Sequence, residues 1–479
     1  MAFDFNRRSL ILSGAALSAM AGTSLLGGCE SLLQKIQNRP TRRGTQSLSS
    51  TDPVWSVYRA AVSAMQARQA GDARNWTEQA RIHLDHCPHG NWFFLPWHRA
   101  YLFYFEQICR ELSGDDGFAL PYWNWNQNRS IPAPFWSGVL NHPRSVNSSS
   151  TLPDSWVGDT VLNNILALTN FTQFASGPST TQRGFSFSGS LEATPHNNVH
   201  GWTGGDMGTY WSPLDPIFWL HHCMIDCMWW HWNADLGNPN TNDPGWSNFT
   251  FSNNFVDGNG NPVDIQVIST VLMPLLSYRY EPCQIGGDTM LEMARRDVAD
   301  ARRLREFLEA GAEVPTRLDD SVVLDRGLVA MIGEPVRSEL VIPAELARQA
   351  LDGRAPHLVA ELEGVRPPAD ESFFVRVFLN LPEANAQTST DSPHYAGSFG
   401  FFEDPDAHAG HDAGRAFRVD LTPGLRRLSQ AGRLGNAVAI QLVAVPMPGR
   451  EPVAAPAMPI QAVRAGLLPA VRTRFDERE

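Results

Sequence analysis

The spacing of apolar residues predicts that the first half of the chain is helical. From Asp52 onward, apolar side chains recur on one helix face at Val54, Tyr58, Val62 and Met65. The pattern predicts further helices over residues 76–86, over 96–112 with Pro96 in the first turn, around His196 and His200, and from 212–216 to about 235. Residues 124–190 are rich in Asn, Ser, Pro, Gly and Thr, and we expect long surface loops there.

The second half of the chain has a different pattern. From about Ser321 onward, segments such as FFVRVFLNL and AVAIQLVAV alternate with Gly/Pro turns, which indicates β-strands. Residues 290–312 are charged and helical in pattern, and we expect a linker over 284–320. The predicted fold is therefore a mainly α domain over 50–283, with a four-helix-bundle core and long loops, followed by an all-β sandwich over 321–479.

Composition supports a globular protein and excludes some partners. The chain is 43% hydrophobic, and its net charge of −12 with a sequence pI of about 5.6 argues against nucleic acid as a partner. The sequence from Asn6 to Leu10 contains paired arginines and precedes an apolar run to Gly28, which predicts a twin-arginine export signal over 1–29. A plain N-terminal helix is the alternative. Residues 26–29 resemble a lipoprotein box, so Cys29 is a candidate lipid anchor, and we expect a periplasmic, cell-surface or secreted protein.

The cysteines do not form a regular framework. With Cys29 assigned to the signal, five remain, so at least one must be free or differently bonded. Cys223 and Cys227 are four residues apart on a predicted helix and would pair only with local distortion.

Histidines are the strongest chemical signal. Eight of the 14 lie in two short blocks, residues 83–99 and 192–226, and imidazole is a good ligand for copper, iron, nickel and zinc. His196 and His200 share a helix face at the spacing of H-E-x-x-H zinc peptidases, but Asn197 replaces the catalytic Glu, which disfavours a peptidase. His394, His408 and His411 lie in a Gly/Asp/Pro-rich loop, which we interpret as solvated. The two blocks predict a dinuclear metal site.

These blocks resemble the type-3 copper proteins (tyrosinases, catechol oxidases and hemocyanins), and among them most resemble polyphenol oxidases. The first block contains W-x-x-Q-A-x-x-H at residues 76–83, and its second motif is formed by His89, His98, Arg99, Tyr101, Leu102 and Glu106. The second block contains P-H-N-x-V-H-x-W at 195–202 and D-P-I-F-W-x-H-H-x-x-x-D at 215–226. The motifs lie within about residues 52–283, and the strand-rich half resembles the domain that caps plant-type polyphenol oxidases.

The resemblance implies two copper ions and their ligands. One copper would be bound by His83, His89 and His98, and the other by His196, His200 and His222. His86 competes with His83 because it is three residues along the same helix, but the spacing from Trp76 and the position of Cys87 favour His83; His221 is then a packing neighbour of His222. The resemblance also implies a thioether bond between Cys87 and His89, with a free buried cysteine as the alternative.

The same resemblance implies the chemistry, which is oxidation of o-diphenols to o-quinones with O2 and, secondarily, hydroxylation of monophenols. Glu192 and Asn197 would hold a basic water that deprotonates a monophenol, although Glu192 also suits ordinary helix capping. Phe218, four residues before His222, is expected to stack on the substrate ring, and Gly201 to leave the pocket mouth open. Asp226 either orients a ligand imidazole or is an ordinary helix charge.

Three alternative functions remain open at this point. A hemocyanin-like oxygen carrier would use the same six histidines but block substrate access. A zinc hydrolase would bind a different metal, and an o-aminophenol oxidase would use the same chemistry on a narrower substrate.

Overall fold

The structure is a computed structural model, and it describes residues 38–283, 285, 314–331, 336, 340–352, 357–366, 373–402, 414–435, 437–447 and 457–471. The expected export signal over 1–29 with Cys29, the charged stretch 290–312, and His408 and His411 lie outside the described residues.

The helices of the N-terminal half begin and end where local chemistry favours it. The Asp52 side chain accepts a hydrogen bond from Val54 N at 3.1 Å and caps α1, which has Pro53 as its first residue. Asn75 caps α2 in the same way through Thr77 N, and α3 ends at Gly114 in the left-handed conformation (φ 71°). The three bounds are α1 Pro53–Gln66, α2 Trp76–His86 and α3 Phe94–Ser113. The prediction over 76–86 is confirmed, and α3 extends slightly beyond the predicted 96–112.

The region predicted as surface loops is more ordered than expected. Residues 124–190 contain α4 Asp154–Val157, α5 Asp159–Leu166 and α6 Phe171–Phe174, and they bury Trp125, Phe135 and Trp156 completely. The prediction of long surface loops is therefore wrong for this stretch. Its apolar residues have no regular period because they contact the core from several short segments rather than from one helix face.

The remaining helices of this domain complete the frame around the histidines. A π-helical turn Glu192–His196 leads into α7 Asn197–Thr203, and α8 Ile217–Trp230 continues into a second π turn, His231–Asp235. Short elements close the domain: α9 Pro244–Ser247, α10 Val267–Val271, α11 Met273–Leu276, the hairpin β2 Thr250–Val256 with β3 Pro262–Gln266, and the parallel pair β1 Thr41–Arg42 with β4 Arg279–Tyr280.

The C-terminal part is built from eight strands: β5 Asp319–Met331, β6 Leu340–Ile342, β7 His357–Val365, β8 Phe373–Leu379, β9 Tyr395–Phe399, β10 Arg415–Asp420, β11 Val438–Pro446 and β12 Ala457–Leu468, as far as this part is described. They form two four-stranded antiparallel sheets with orders β10-β7-β12-β5 and β6-β11-β8-β9. Two helices, α12 Ala344–Leu351 and α13 Thr422–Gln430, accompany them. The predicted fold class, a helical core followed by antiparallel sheets, is confirmed.

A disulfide joins α8 to the end of the helical domain. Cys227 is bonded to Cys283, 56 residues further along the chain, whereas Cys87, Cys109 and Cys223 are free and buried. Cys223 and Cys227 thus do not pair with each other. Among the described residues, every helix is too short or too polar to cross a membrane.

Candidate dinuclear metal centre

The first histidine group is formed by α2, α3 and the loop between them. His83 lies on α2, His98 on α3 and His89 between them, and their ligand atoms lie within 4.8 Å of one another, together with the Cys87 sulfur. His86 is only half-buried and is not part of this group. The structure therefore supports His83 over His86.

The second group is formed where two helices meet. His196 ends the π turn, His200 lies on α7, and His221 and His222 lie on α8, again with ligand atoms within 4.8 Å of one another. The sequence predicts one helix around His196 and His200, but Pro195 lies inside the π turn and has no N–H to donate to the preceding turn.

The two groups face each other across a narrow gap. The rings of His98 and His222 are stacked with centroids 4.1 Å apart, and those of His89 and His196 are 5.4 Å apart. Imidazoles from separate helices therefore converge on one region, as a dinuclear site requires.

Hydrogen bonds at Nδ1 determine which nitrogen can bind a metal. The Nδ1–H groups of His83, His98 and His200 donate to the carbonyl oxygens of Tyr210 at 2.8 Å, Phe94 at 2.8 Å and Met207 at 2.6 Å. Because a carbonyl only accepts, each ring carries its proton on Nδ1 and has a free lone pair on Nε2. The buried Nε2 atoms of His83 and His196 contact no hydrogen-bond partner in the protein, which fits a metal ligand.

The same reasoning separates His221 from His222. The indole N–H of Trp125 donates to His221 Nδ1 at 3.1 Å, so a neutral His221 carries its proton on Nε2 and has no free lone pair for a metal. His222 Nε2 lies 3.2 Å from His200 Nε2, which places both atoms where they can share one ion. The donor set, six neutral imidazoles, is one that copper accepts readily.

Burial keeps these imidazoles neutral. It lowers the pKa of His98 and His200 to about 3, and it lowers the pKa of His83, His89 and His196 well below the usual value, with further lowering by neighbouring imidazoles. Only the neutral ring can bind a metal, so the site is in its binding form across the neutral pH range.

Cys87 lies beside two ligands of the first group. Its sulfur is 3.4 Å from His98 Nε2 and 3.7 Å from His89 Nδ1, and burial raises the pKa of the thiol. This position is compatible with the expected thioether to His89, which stays a prediction.

Glu192 and Asn197 are both buried beside the histidines, but each has its own partners. Glu192 accepts hydrogen bonds from Gly90 N at 2.7 Å and from the Ser176 hydroxyl, and burial raises its pKa to about 8. Asn197 accepts from His196 Nδ1 at 2.8 Å and donates to Gly400 O at 3.0 Å. Because Gly90 follows His89, the Glu192 carboxyl connects the loop of the first group to the π turn of the second.

Phe218 lies between the two groups. Its ring centroid is 4.2 Å from that of His222 and 5.2 Å from that of His83. The ring therefore lies where the sequence placed it, and its stacking on a substrate stays a prediction.

The expectation that Asp226 orients a ligand imidazole is wrong. Its carboxylate accepts hydrogen bonds from Arg99 at 2.5 Å, Arg42 at 3.1 Å, Tyr278 at 2.7 Å and Tyr280 at 2.6 Å. Against burial, which raises it, the two guanidinium groups hold the pKa of this carboxyl below its usual value. Both oxygens of Asp226 are therefore occupied by residues of α3, β1 and the segment that leads into and includes β4, and the carboxylate anchors α8 to these elements.

The C-terminal domain contacts the histidine groups through Phe402, a residue that the sequence analysis did not single out. The Phe402 ring centroid lies 4.7 Å from those of His89 and His200, and the side chain is buried. A Cβ on Gly201 would lie 2.9 Å from Met447 Cε, so the expectation of an open mouth at Gly201 is wrong. No ligand type or periodicity marks Phe402, and the signal that could have suggested it is the cluster of aromatic residues in FGFF at 399–402.

Comparison with known proteins places this site in a family. The family model "common central domain of tyrosinase" matches residues 62–148 and 136–235, which include both histidine groups. The helical domain that contains both histidine groups is thus similar to the copper proteins of the tyrosinase and polyphenol oxidase type. Tyrosinase HcTyr1 of Hahella sp. (strain CCB-MM4) is 33% identical over 298 residues, covering 50% of this chain and 63% of the relative. The chloroplastic polyphenol oxidase of Malus domestica is 27% identical over 396 residues, covering 71% of this chain and 65% of the relative.

Solved structures of this type share the fold along most of the chain. The latent apple tyrosinase has a TM-score of 0.63 at 20% identity, covering 90% of this chain and 97% of that one. A functional unit of octopus hemocyanin has a TM-score of 0.52 at 17% identity, covering 90% of this chain and 100% of that one. The matches to the two curated relatives span less than two thirds of each relative's length.

Proposed function

We propose that this protein is a copper-dependent oxidoreductase that oxidises o-diphenols to o-quinones with O2. The observation that carries the proposal is the pair of facing histidine groups, in which hydrogen bonds at Nδ1 of His83, His98 and His200 leave the Nε2 lone pairs of these rings free for a metal. When bound there, two copper ions would supply O2 binding and accept electrons from the phenol.

The walls of the site suit a flat aromatic substrate. Phe218 lies against ligands of both groups, and Phe402 and Tyr210, with ring centroids 5.4 Å apart, add aromatic surface. Phe402 carries a six-membered ring of the same size as a phenol ring. The space that it fills would therefore hold a substrate ring once the C-terminal domain moves away.

Monophenol hydroxylation is the second activity that we propose. It requires a group that accepts a proton from the phenol, and the buried Glu192 carboxyl lies four residues before His196, with Asn197 directly after that ligand. A pKa near 8 lies in the range in which a carboxyl exchanges protons efficiently around neutral pH. Glu192→Gln keeps the size and one acceptor, and should lower monophenol turnover more than diphenol turnover; an equal loss of both would remove this assignment.

An oxygen carrier is the second candidate function, because Phe402 closes the site as a carrier would require. The test is O2 uptake with catechol, together with copper content, for the full chain and for Phe402→Ala. Two coppers per chain and catechol-dependent uptake in the opened variant support the oxidase. Two coppers and reversible O2 binding without catechol consumption support the carrier, and zinc without copper would overturn both. Product analysis with o-aminophenol as the substrate distinguishes an o-aminophenol oxidase from an o-diphenol oxidase.

We also propose that the protein is exported through the twin-arginine signal over 1–29, with Cys29 as a possible site of lipid attachment. The Cys227–Cys283 disulfide supports export, because disulfides persist in oxidising compartments. The intact mass of the exported protein would reveal the lipid, and a loss of two hydrogens would reveal the Cys87 cross-link. Retention of the whole protein in the cytoplasm would refute the export.

A further inference from the structure

One ligand histidine has an unusual hydrogen-bond partner. His83, His98 and His200 donate from Nδ1 to backbone carbonyls, which cannot donate in return. His196 Nδ1 instead faces the side-chain amide of Asn197 at 2.8 Å. An amide has an accepting end and a donating end, so Asn197 by itself does not determine which nitrogen of His196 carries the proton.

The C-terminal domain removes this ambiguity. The carbonyl oxygen of Gly400, just after β9, accepts a hydrogen bond from Asn197 Nδ2 at 3.0 Å. Gly400 is held in place because its own N–H donates to Ala193 O at 2.6 Å, and because the Thr194 hydroxyl donates to Ser398 O. Since the Gly400 carbonyl only accepts, the amide must direct Nδ2 toward Gly400 and Oδ1 toward His196.

We propose that the Gly400 carbonyl is a positioning group for the second metal: acting through Asn197, it sets the tautomer of His196. With Oδ1 facing it, His196 is protonated on Nδ1 and has its lone pair on Nε2, which is buried without a partner. Without the Gly400 carbonyl, the amide can rotate by half a turn and donate to Nδ1, which moves the proton to Nε2, the metal-binding atom. The inference rests on the proposed function only in taking His196 as a ligand.

The chain offers a matched pair of substitutions, at Gly397 within β9 and at Gly400 just after it. A Cβ on Gly400 would lie 2.0 Å from Asn198 Oδ1 and 2.9 Å from its Cγ. Because the Asn198 side chain is fully buried in the helical domain and has little room to turn away, Gly400→Ala should push the segment away from Asn197. A Cβ on Gly397 would lie 2.7 Å from Val419 Cγ1, inside the C-terminal domain. Gly397→Ala therefore imposes a similar crowding without a direct effect on Asn197.

The first experiment measures copper release from the full-length holoprotein to an excess of chelator. We expect Gly400→Ala to bind one of its two coppers about 10–100-fold more weakly than wild type, the usual effect of losing an outer partner of a ligand histidine, and therefore to release that copper faster. Gly397→Ala should release copper like wild type. Adding Asn197→Asp to Gly400→Ala should restore slow release, because a carboxylate can only accept from His196 Nδ1.

The added negative charge could slow copper release by itself, so the same Asp is also tested with Gly397→Ala. The rescue must be larger in the Gly400→Ala background, as in a double-mutant cycle. Equal effects in both backgrounds, or unchanged release from Gly400→Ala, would overturn the inference. Should Gly400→Ala not fold, Asn197→Asp alone decides. Copper release no faster than from wild type supports the inference. Faster copper release would overturn it, because the contact with Gly400 would then matter only as packing.

Nitrogen NMR of histidine-labelled, copper-free protein gives a readout that is independent of metal and turnover. We expect His196 to be protonated on Nδ1 in wild type and Gly397→Ala, and on Nε2 in Gly400→Ala. Unchanged tautomers would refute the inference. A protein that has the expected tautomers and two coppers but does not oxidise catechol would refute the proposed function alone.

Discussion

Replacing Phe402 by alanine should open the site of the intact chain. The ring is only 7% exposed and lies 4.7 Å from the rings of His89 and His200, in the space that a substrate ring would need. For a phenol to enter, this ring must leave its position, and the free energy of exposing it opposes entry.

The size of the effect follows from that burial. Exposing a phenylalanine side chain costs about 2–3 kcal/mol. Since each 1.4 kcal/mol is a factor of ten, removing the ring should raise kcat/KM for catechol by about 30–100-fold. The same change should lower the thermal midpoint, because the C-terminal domain loses a contact with the helical domain.

The assay is initial O2 uptake at low catechol concentration, normalised to copper content. Phe401→Ala is the matched control. Phe401 precedes Phe402 and is also buried, but its ring contacts those of Phe373 and Phe417 within the C-terminal domain, with centroid distances of 5.2 and 5.6 Å. Equal activation by both substitutions would mean that general loosening of the domain, and not removal of a plug, opens the site. No activation by Phe402→Ala at full copper content would refute the reasoning outright.

Three further predictions concern metal binding and stability. Elemental analysis should find one copper per chain instead of two in His222→Gln. His221→Gln should keep both coppers, because the glutamine can still accept the hydrogen bond from Trp125. Copper loss from His221→Gln but not from His222→Gln would mean that His221 is the ligand. Burial raises the Glu192 pKa from 4.5 to about 8, so the folded state holds this proton more tightly and stability falls as pH rises between these values. In urea unfolding of copper-free protein, Glu192→Gln should remove this loss, up to about 5 kcal/mol, and an unchanged pH profile would contradict it. Cys283→Ser, which opens the 56-residue link to Cys227, should lower the free energy of unfolding by about 4 kcal/mol in the chain-entropy view, and no change would argue against the disulfide.

The pairing of Cys227 with Cys283 could not be chosen from sequence, because five cysteines allow many pairings and the two partners come together only when α8 packs against the end of the domain.

Local pattern was enough to locate the two histidine groups. His83 and His98 lie on helices that apolar periodicity predicts, and the four-residue spacing of His196 and His200 already requires neighbouring positions on one face. These features depend on residues within a few helical turns of each other, so the sequence by itself determined the helices that carry the histidines, the two histidine groups and the strand-rich second half.

Contacts between distant residues decided the rest. Trp125, 96 residues before His221, donates to Nδ1 of that histidine and so argues against it as a ligand, and Arg99, 127 residues before Asp226, forms an ion pair with that carboxylate. Gly400 reaches Asn197 across 203 residues. Such partners leave no periodic trace along the chain, because each contact forms only when two separately folded layers pack together, and only the tertiary structure could decide them.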